Sequence, residues 1–243
     1  MTPIKKSIKK YWDWRSDSYF TDRSIHIANR WETILKGLLS GTSGKKALDI
    51  GTGRGHFALY LAKLGFDVTG VDISDKMIHH AKCHAEEKKL GVNFLVGDAE
   101  HLQFDDNTFD VVVSRNLLWT LPSPKKALKE WRRVMKPEAN LVVSDGLWMN
   151  YTWARLHHLG WRILNGLSNR SGFISARFFC TYAFLQKQLP FYEGIGSCNA
   201  GLLLEEASFK NIRFYDISSW NPYVNKQKLT NREPMFFIAY AKR

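Results

Sequence analysis

Asp49, Gly51, Gly53 and Gly55 alternate with other residues in the run Ala47-Leu-Asp-Ile-Gly-Thr-Gly-Arg-Gly-His56, and a second acid, Asp72, follows in Gly70-Val-Asp-Ile-Ser74. Each glycine removes a Cβ where the backbone must turn tightly and approach a bound nucleoside. Asp72 stands where its carboxylate could accept hydrogen bonds from both hydroxyls of a ribose. A third acid, in Gly97-Asp98-Ala99, is able to meet an adenine amino group. The glycine spacing is tighter than the Gly-x-Gly-x-x-Gly of dinucleotide sites, and His56 replaces the third glycine of that fingerprint. A dinucleotide needs a turn for its pyrophosphate. A cofactor without phosphates needs carboxylates for ribose, amine and base, and this chain looks built for the latter.

Those residues need strands and helices to hold them. From Lys45 to Asp145 the pattern alternates strand and helix, with strand candidates at Lys46–Ile50, Asp67–Asp72, Asn93–Val96, Asp110–Ser114 and Asn140–Ser144. They are short and mostly apolar on both faces, as buried parallel strands should be. One helix starts at the glycine turn and stops before Gly65. A second starts at the N-cap Ser74 and stops at Gly91, with Met77, Ile78, Ala81 and Ala85 on one face. A third opens with Ser123-Pro124 and buries Ala127, Leu128, Trp131 and Val134. A helix around Ala200–Ala207 and strands near Ile212–Ile217 and Met235–Ala241 follow, so seven strand candidates are present. The expected fold is α/β, a doubly wound, mostly parallel seven-stranded sheet.

Two aromatic segments fall outside that rhythm. Residues 1–44 read as helical and carry Tyr11, Trp12, Trp14, Tyr19 and Trp31; residues 146–200 carry Trp148, Trp153, Trp161, Tyr182 and Tyr192, among others. The expected organisation is a single domain. It has a helical lid at 1–44, a cofactor-binding core at 45–145, a helical insert after strand five at 146–200, and a helix with the last two strands at 201–243.

The 243 residues suffice for one large domain with a full core, and 44% hydrophobic content excludes a disordered chain. No run of 18 apolar residues exists, so no membrane insertion is expected. The basic N-terminus lacks an apolar core after it, so it does not read as a secretory signal. Cys83, Cys180 and Cys198 are three and widely spaced, which fits a reducing cytoplasm and argues against a disulfide framework or a zinc site. The net charge of +12 leaves a nucleic-acid partner open, but the basic residues are spread along the chain. The clustered His79, His80, Cys83 and His84 lack a complementary Cys/His pair at ligand spacing, and no metal is expected.

The ordered set of motifs resembles the class I S-adenosylmethionine-dependent methyltransferases, in particular the small-molecule group that includes quinone-biosynthesis enzymes (methyltransferase type 11). The residues that carry the likeness are Leu48-Asp-Ile-Gly-Thr-Gly-Arg-Gly55, Val71-Asp-Ile-Ser74 with Met77, Gly97-Asp-Ala-Glu100, Phe109-Asp-Val-Val-Val-Ser114 and Trp131-Arg-Arg-Val-Met-Lys-Pro137. The resemblance implies S-adenosyl-L-methionine as cofactor and S-adenosyl-L-homocysteine as product. It implies that Asp49, Gly51, Thr52, Gly53 and Gly55 surround the methionine part and that Asp72 binds the ribose. Ile73 and Met77 would pack on adenine, Asp98 and Ala99 would meet its edge, and Arg115 or Asn116 would lie beneath the cofactor. Tyr11-Trp-Asp-Trp-Arg-Ser-Asp-Ser-Tyr19 looks like the lid segment of this group, with Arg15 on the cofactor carboxylate and Tyr11 and Tyr19 closing over it. Plainer roles stand beside these: Asp49 as a cap of the following helix, Met77 as core, Tyr11 and Trp12 as anchors of the first helix. The usual Lys-Pro-Gly-Gly turn before strand five is Lys136-Pro-Glu-Ala-Asn140 here.

Methyl transfer from a sulfonium is an in-line displacement that demands alignment and exclusion of water, and a base only when the nucleophile holds its proton. Asp145, His157 and His158 are the candidate bases, and Trp119, Trp148 and Tyr182 the candidate walls of an apolar acceptor pocket. The expected acceptor is a small molecule. RNA or protein methylation, and cofactor binding without turnover, are the rival readings.

Overall fold

Period-2 side-chain alternation sorts the strands of this protein into two apolar layers. In the computed structural model, which describes residues 1–19, 25–147, 185–220 and 234–243, Leu48 and Ile50 of β1 (Lys46–Ile50) join Val112 of β4 (Phe109–Arg115) and Leu141 and Val143 of β5 (Met135–Gly146) in one cluster. Ala47, Val111, Val113 and Val142 join the opposite one. Strands buried on both faces belong to a parallel sheet covered by helices on each side.

The sheet has seven strands in the order β3-β2-β1-β4-β5-β7-β6, with β2 at Asp67–Asp72, β3 at Val92–Val96, β6 at Lys210–Asp216 and β7 at Phe236–Lys242. β1 to β5 run parallel, and β7 pairs antiparallel with both β5 and β6. This is the doubly wound, mostly parallel sheet expected from the sequence. Helices α2 (Ile25–Leu39), α3 (His56–Lys63) and α4 (Asp75–Lys88) give Trp31, Leu35, Phe57, Ile78 and Ala81 to one layer. Helices α5 (Pro124–Val134) and α6 (Ser197–Glu206) give Leu128, Trp131, Ala200 and Leu204 to the other. The strand order reverses at β1, between β2 and β4, and a crevice opens at the carboxyl ends of strands at such a point.

Helix α1 (Pro3–Arg15) lies outside both layers. Its Ile8 and Tyr11 form a third cluster with Trp119, Leu185, Leu189 and Tyr192. Tyr11 is thus an anchor of the first helix. The insert between 148 and 184 lies outside the described residues, as do Trp148, Tyr182, His157 and His158.

β5 starts earlier than expected from the run Asn140–Ser144. Met135 pairs with Phe109 and Asn140 with Val111, so residues 136–139 bulge from the ladder. Glu138 sits there at φ +61°, the position where the resemblance leads one to expect glycine. Among the described residues, no helix is long and apolar enough to cross a membrane.

Candidate functional site

Asp49 is the next-to-last residue of β1, and the chain then winds through Gly51, Gly53 and Gly55 at φ +70°, +54° and +83° before α3 begins. Two of these glycines do different work. At Gly53 an added Cβ would meet nothing within 4 Å, so the backbone there faces open space; at Gly55 it would meet Phe94 Cζ at 2.9 Å and Ala81 Cβ at 3.1 Å. Gly55 therefore permits packing against β3 and α4 and does not line the cleft.

Carboxylates hold the turn in shape. Asp49 Oδ2 accepts from Thr52 Oγ1 at 2.6 Å and from the Ala58 amide at 3.0 Å, so it satisfies an otherwise unpaired amide in the first turn of α3. Asp72 Oδ2 accepts from the Gly53 amide at 2.8 Å, and Asp72 Oδ1 from the Ser74 amide at 2.9 Å. Burial pushes the Asp49 carboxyl up to about 7, against the bonds from Thr52 and Ala58 that pull it down. Burial likewise pushes Asp72 up to about 6, opposed by the amides of Ser74 and Gly53.

Above these groups lies a cleft with about 970 Å³ of empty space, part of it open to solvent. Its floor crosses the ends of four adjacent strands. Asp98 and Ala99 follow β3; Asp72 ends β2, with Ile73 and Met77 after it; Asp49 lies near the end of β1, with Gly51, Thr52 and Gly53 after it; Arg115 ends β4, with Asn116 after it. At the usual strand spacing such a floor is about 15 Å long. Three acids occupy one stretch of it and a guanidinium the other end. Arg115 packs its guanidinium 4.7 Å from the centre of the Trp31 ring and 5.2 Å from that of Phe57. Met77, only 2% exposed, serves as core and lining together.

Lys5, Ile8, Trp12 and Tyr19 form the roof. Lys5, Ile8 and Trp12 recur at helical spacing on one face of α1, a stripe that reading the segment for aromatic and arginine residues overlooked. Arg54, His56, Phe57 and the apolar wall of Leu117, Leu121 and Pro122 were also not anticipated.

Other expected positions lie elsewhere. Tyr11 is buried in the third cluster. Arg15 donates from Nη1 to Ser18 Oγ at 2.6 Å and packs over the Tyr19 ring at 5.4 Å, so it braces the turn after α1 and does not line the cleft. Trp119 belongs to the same buried cluster as Tyr11, not to the cleft wall. Asp145 is fully buried; Oδ1 accepts from the Gly146 amide at 2.9 Å and Oδ2 from the Trp119 amide at 3.4 Å. It anchors the short turn Leu118–Thr120 beneath the cleft. Among the described residues no group of His, Cys, Asp and Glu is arranged to hold a metal ion.

Residues 48–143, which carry all of this floor, match the family described as a methyltransferase domain. The matched segment is similar to that domain and is less than half of this chain. Over 101 residues the chain is 40% identical to a ubiquinone biosynthesis O-methyltransferase of Coxiella burnetii, covering 42% of this chain and 43% of that protein. A demethylmenaquinone methyltransferase of Renibacterium salmoninarum is 34% identical over 122 residues, half of each chain. The chain thus spans half or less of the length of these curated relatives. Among solved structures, a SAM-dependent methyltransferase from Aquifex aeolicus superposes with TM-score 0.58 at 22% identity, over 87% of this chain and 88% of that one. The cyclase SpnF superposes with TM-score 0.60 at 20% identity, over 88% and 80%. At such identities the likeness establishes the fold, the class I methyltransferase architecture, and no reaction. The fold and the sequence match thus agree on a seven-stranded sheet with the cleft at the carboxyl ends of its parallel strands.

Proposed function

We propose that the chain binds S-adenosyl-L-methionine in this cleft and transfers its methyl group to a small molecule. The observation that carries the reading is the order of charges along the floor: Asp98, Asp72 and Asp49 on successive strand ends, then Arg115. An elongated ligand with a nucleoside at one end and an amino acid at the other meets acceptors where it has donors and a cation where it has a carboxylate. Asp98 and the Ala99 backbone would hold the adenine edge, Asp72 the ribose hydroxyls, and Ile73 and Met77 the ring face. Gly53 offers room for close approach, because no side chain or backbone atom occupies its Cβ direction. Arg115, which lines the cleft, replaces Arg15 as the proposed partner of the carboxylate. When bound, the cofactor supplies a methyl group on a sulfonium, which an aligned nucleophile displaces. The chain supplies alignment and a dry wall, with Ile8, Trp12, Leu117 and Leu121 excluding water.

The apolar wall supports a small acceptor with an apolar body, and the quinone-related names of the relatives agree with that class. A stretch of 103 residues is also 34% identical to phosphoethanolamine N-methyltransferase 3 of Arabidopsis thaliana, whose name points to a different acceptor, so the likeness by itself does not select one. Residues 45–145 would serve as the cofactor core and 1–44 as its lid. Residues 146–200 would shape the acceptor side, and 201–243 would complete the sheet. A cytoplasmic setting fits these roles. The net charge of +12 keeps RNA as the rival acceptor that the turnover panel must exclude.

Calorimetry with S-adenosylhomocysteine tests the donor. Saturable one-to-one binding is expected, and no binding at millimolar ligand would overturn the reading. Turnover of labelled S-adenosylmethionine on a panel of phenols, quinols and amines then identifies the acceptor. Binding without turnover across the panel, or transfer to RNA alone, would remove the small-molecule assignment.

A further inference from the structure

Helix α1 is joined to the cleft by polar bonds at two places, and the turn after it at a third. At the β3 end, Lys5 Nζ donates to Asp98 Oδ2 at 2.6 Å and pairs with Glu100 Oε2 at 2.7 Å. Glu100 is 4% exposed, and its other oxygen accepts from the Ser123 amide at 2.7 Å. Lys5 is thus held by a buried carboxylate that is itself tied to the start of α5. At the β2 end, Ser74 Oγ donates to Asp13 Oδ1 at 2.6 Å while the Ser74 amide donates to Asp72 Oδ1 at 2.9 Å. One residue therefore bridges the lid to the acid beneath the proposed ribose. Asp13 also accepts from the Lys76 amide at 3.4 Å, and Lys9 pairs with both Asp13 and Asp75. At the β1 turn, Arg54 Nη1 reaches the Ser16 and Tyr19 carbonyls at 3.5 and 3.4 Å.

We infer that Lys5 and Asp13 are positioning residues that couple closure of α1 to the nucleoside half of the cleft, Lys5 through Asp98 and Asp13 through Ser74 and Asp72. The inference rests on the reading of the cleft given above. A carboxylate has about four acceptor sites, so Asp98 can hold Lys5 and the Glu100 amide and still accept from an adenine amine. The ammonium fixes the direction of that carboxylate, and the Asp13–Ser74 bond fixes the backbone beside Asp72. The bound nucleoside then lies under a helix that shares its hydrogen-bond partners. Release requires those shared bonds to open together. The aromatic residues of the lid fill space, and the charged edge of α1 sets how long the ligand stays.

The test measures release rates of S-adenosylhomocysteine and of adenosine from the full chain by stopped flow, with tryptophan fluorescence as the signal because Trp12 lines the cleft. Lys5→Met and Asp13→Asn should each speed release by roughly tenfold, the size of one hydrogen bond to a charged group. The factor should be the same for adenosine as for the whole ligand, because the homocysteine half is not involved. Lys5→Arg should retain most of the wild-type residence time. A lid that only packs would give variants with a lowered melting temperature and release rates within twofold of wild type, which overturns the coupling. An effect on S-adenosylhomocysteine that is absent with adenosine overturns it as well. If Asp13→Asn fails to fold, the comparison of Lys5→Met with Lys5→Arg decides alone. Failure of the unaltered protein to bind either ligand is a different result, and it refutes the proposed cofactor.

Discussion

The Gly53 amide donates to Asp72 Oδ2 at 2.8 Å, which joins the glycine turn after β1 to the acid at the end of β2, 19 residues further on. The turn and the acid are one unit. Replacing Asp72 by Ala should remove both the proposed ribose acceptor and the partner of the turn amide. S-adenosylhomocysteine affinity should fall by about a hundredfold, as expected for losing charge-assisted bonds. Asp72 is pushed up to about 6 by burial, against the Ser74 and Gly53 amides. Its ionised form is the better acceptor, so wild-type affinity should decline as pH falls through that value. Asp72→Asn should bind more weakly and lose this step. Calorimetry between pH 5 and pH 8 measures both.

Two arginines compete for one role, and the cleft distinguishes them. Arg115 lines it, stacked against Trp31 and Phe57, whereas Arg15 is engaged with Ser18 and Tyr19. Arg115→Met should weaken S-adenosylhomocysteine by roughly tenfold or more through loss of a charge-assisted pair, while leaving adenosine almost unchanged. Arg15→Met should alter neither by more than about threefold, in the range of an exposed contact. Equal effects of the two variants would refute the assignment.

Trp119 is a packing residue in the third cluster, 6% exposed, with Ile8, Tyr11 and Tyr192 around it. Trp119→Ala should cost about 3–5 kcal/mol of stability through the cavity it leaves. Chemical denaturation measures this. If the variant instead keeps its stability and changes only acceptor KM, Trp119 belongs to the acceptor wall after all.

Glu138 holds φ +61° in the bulge before the central part of β5. A side chain in that region costs roughly 1–2 kcal/mol, a penalty that glycine escapes. Glu138→Gly should therefore raise the stability by up to about 1 kcal/mol, since part of the gain is returned to the freer unfolded chain. Lys242 donates to the Glu138 carbonyl, a backbone contact that the substitution retains. A melting temperature at or below that of the wild type would count against strain at this position.

The strands, their parallel order and the turn at Gly51 to Gly55 were legible in the sequence because their determinants are local. Apolar runs such as Asp110–Ser114 report burial on both faces, and glycines report positive φ where they stand. The acids at the ends of β1, β2 and β3 were legible for the same reason: strand ends in a parallel sheet share one edge. What tertiary structure decided was which neighbouring side chains reach that edge. Lys5 lies 93 residues from Asp98, and no periodicity links them until α1 docks across β3 and α4. Asp145 ends a strand as Asp49 does, yet its oxygens go to the Gly146 and Trp119 amides. Arg15 and Arg115 both stand near aromatic residues, and only the packing of α2 and α3 against β4 turns the second toward the cleft. The sequence by itself determined a parallel sheet with a glycine turn and acids along one edge, since hydrogen-bonding chemistry and turn geometry are written residue by residue. The charged ties of α1 and the proposed carboxylate partner came from the fold, because they depend on distances between elements that the chain brings together only when it closes its core.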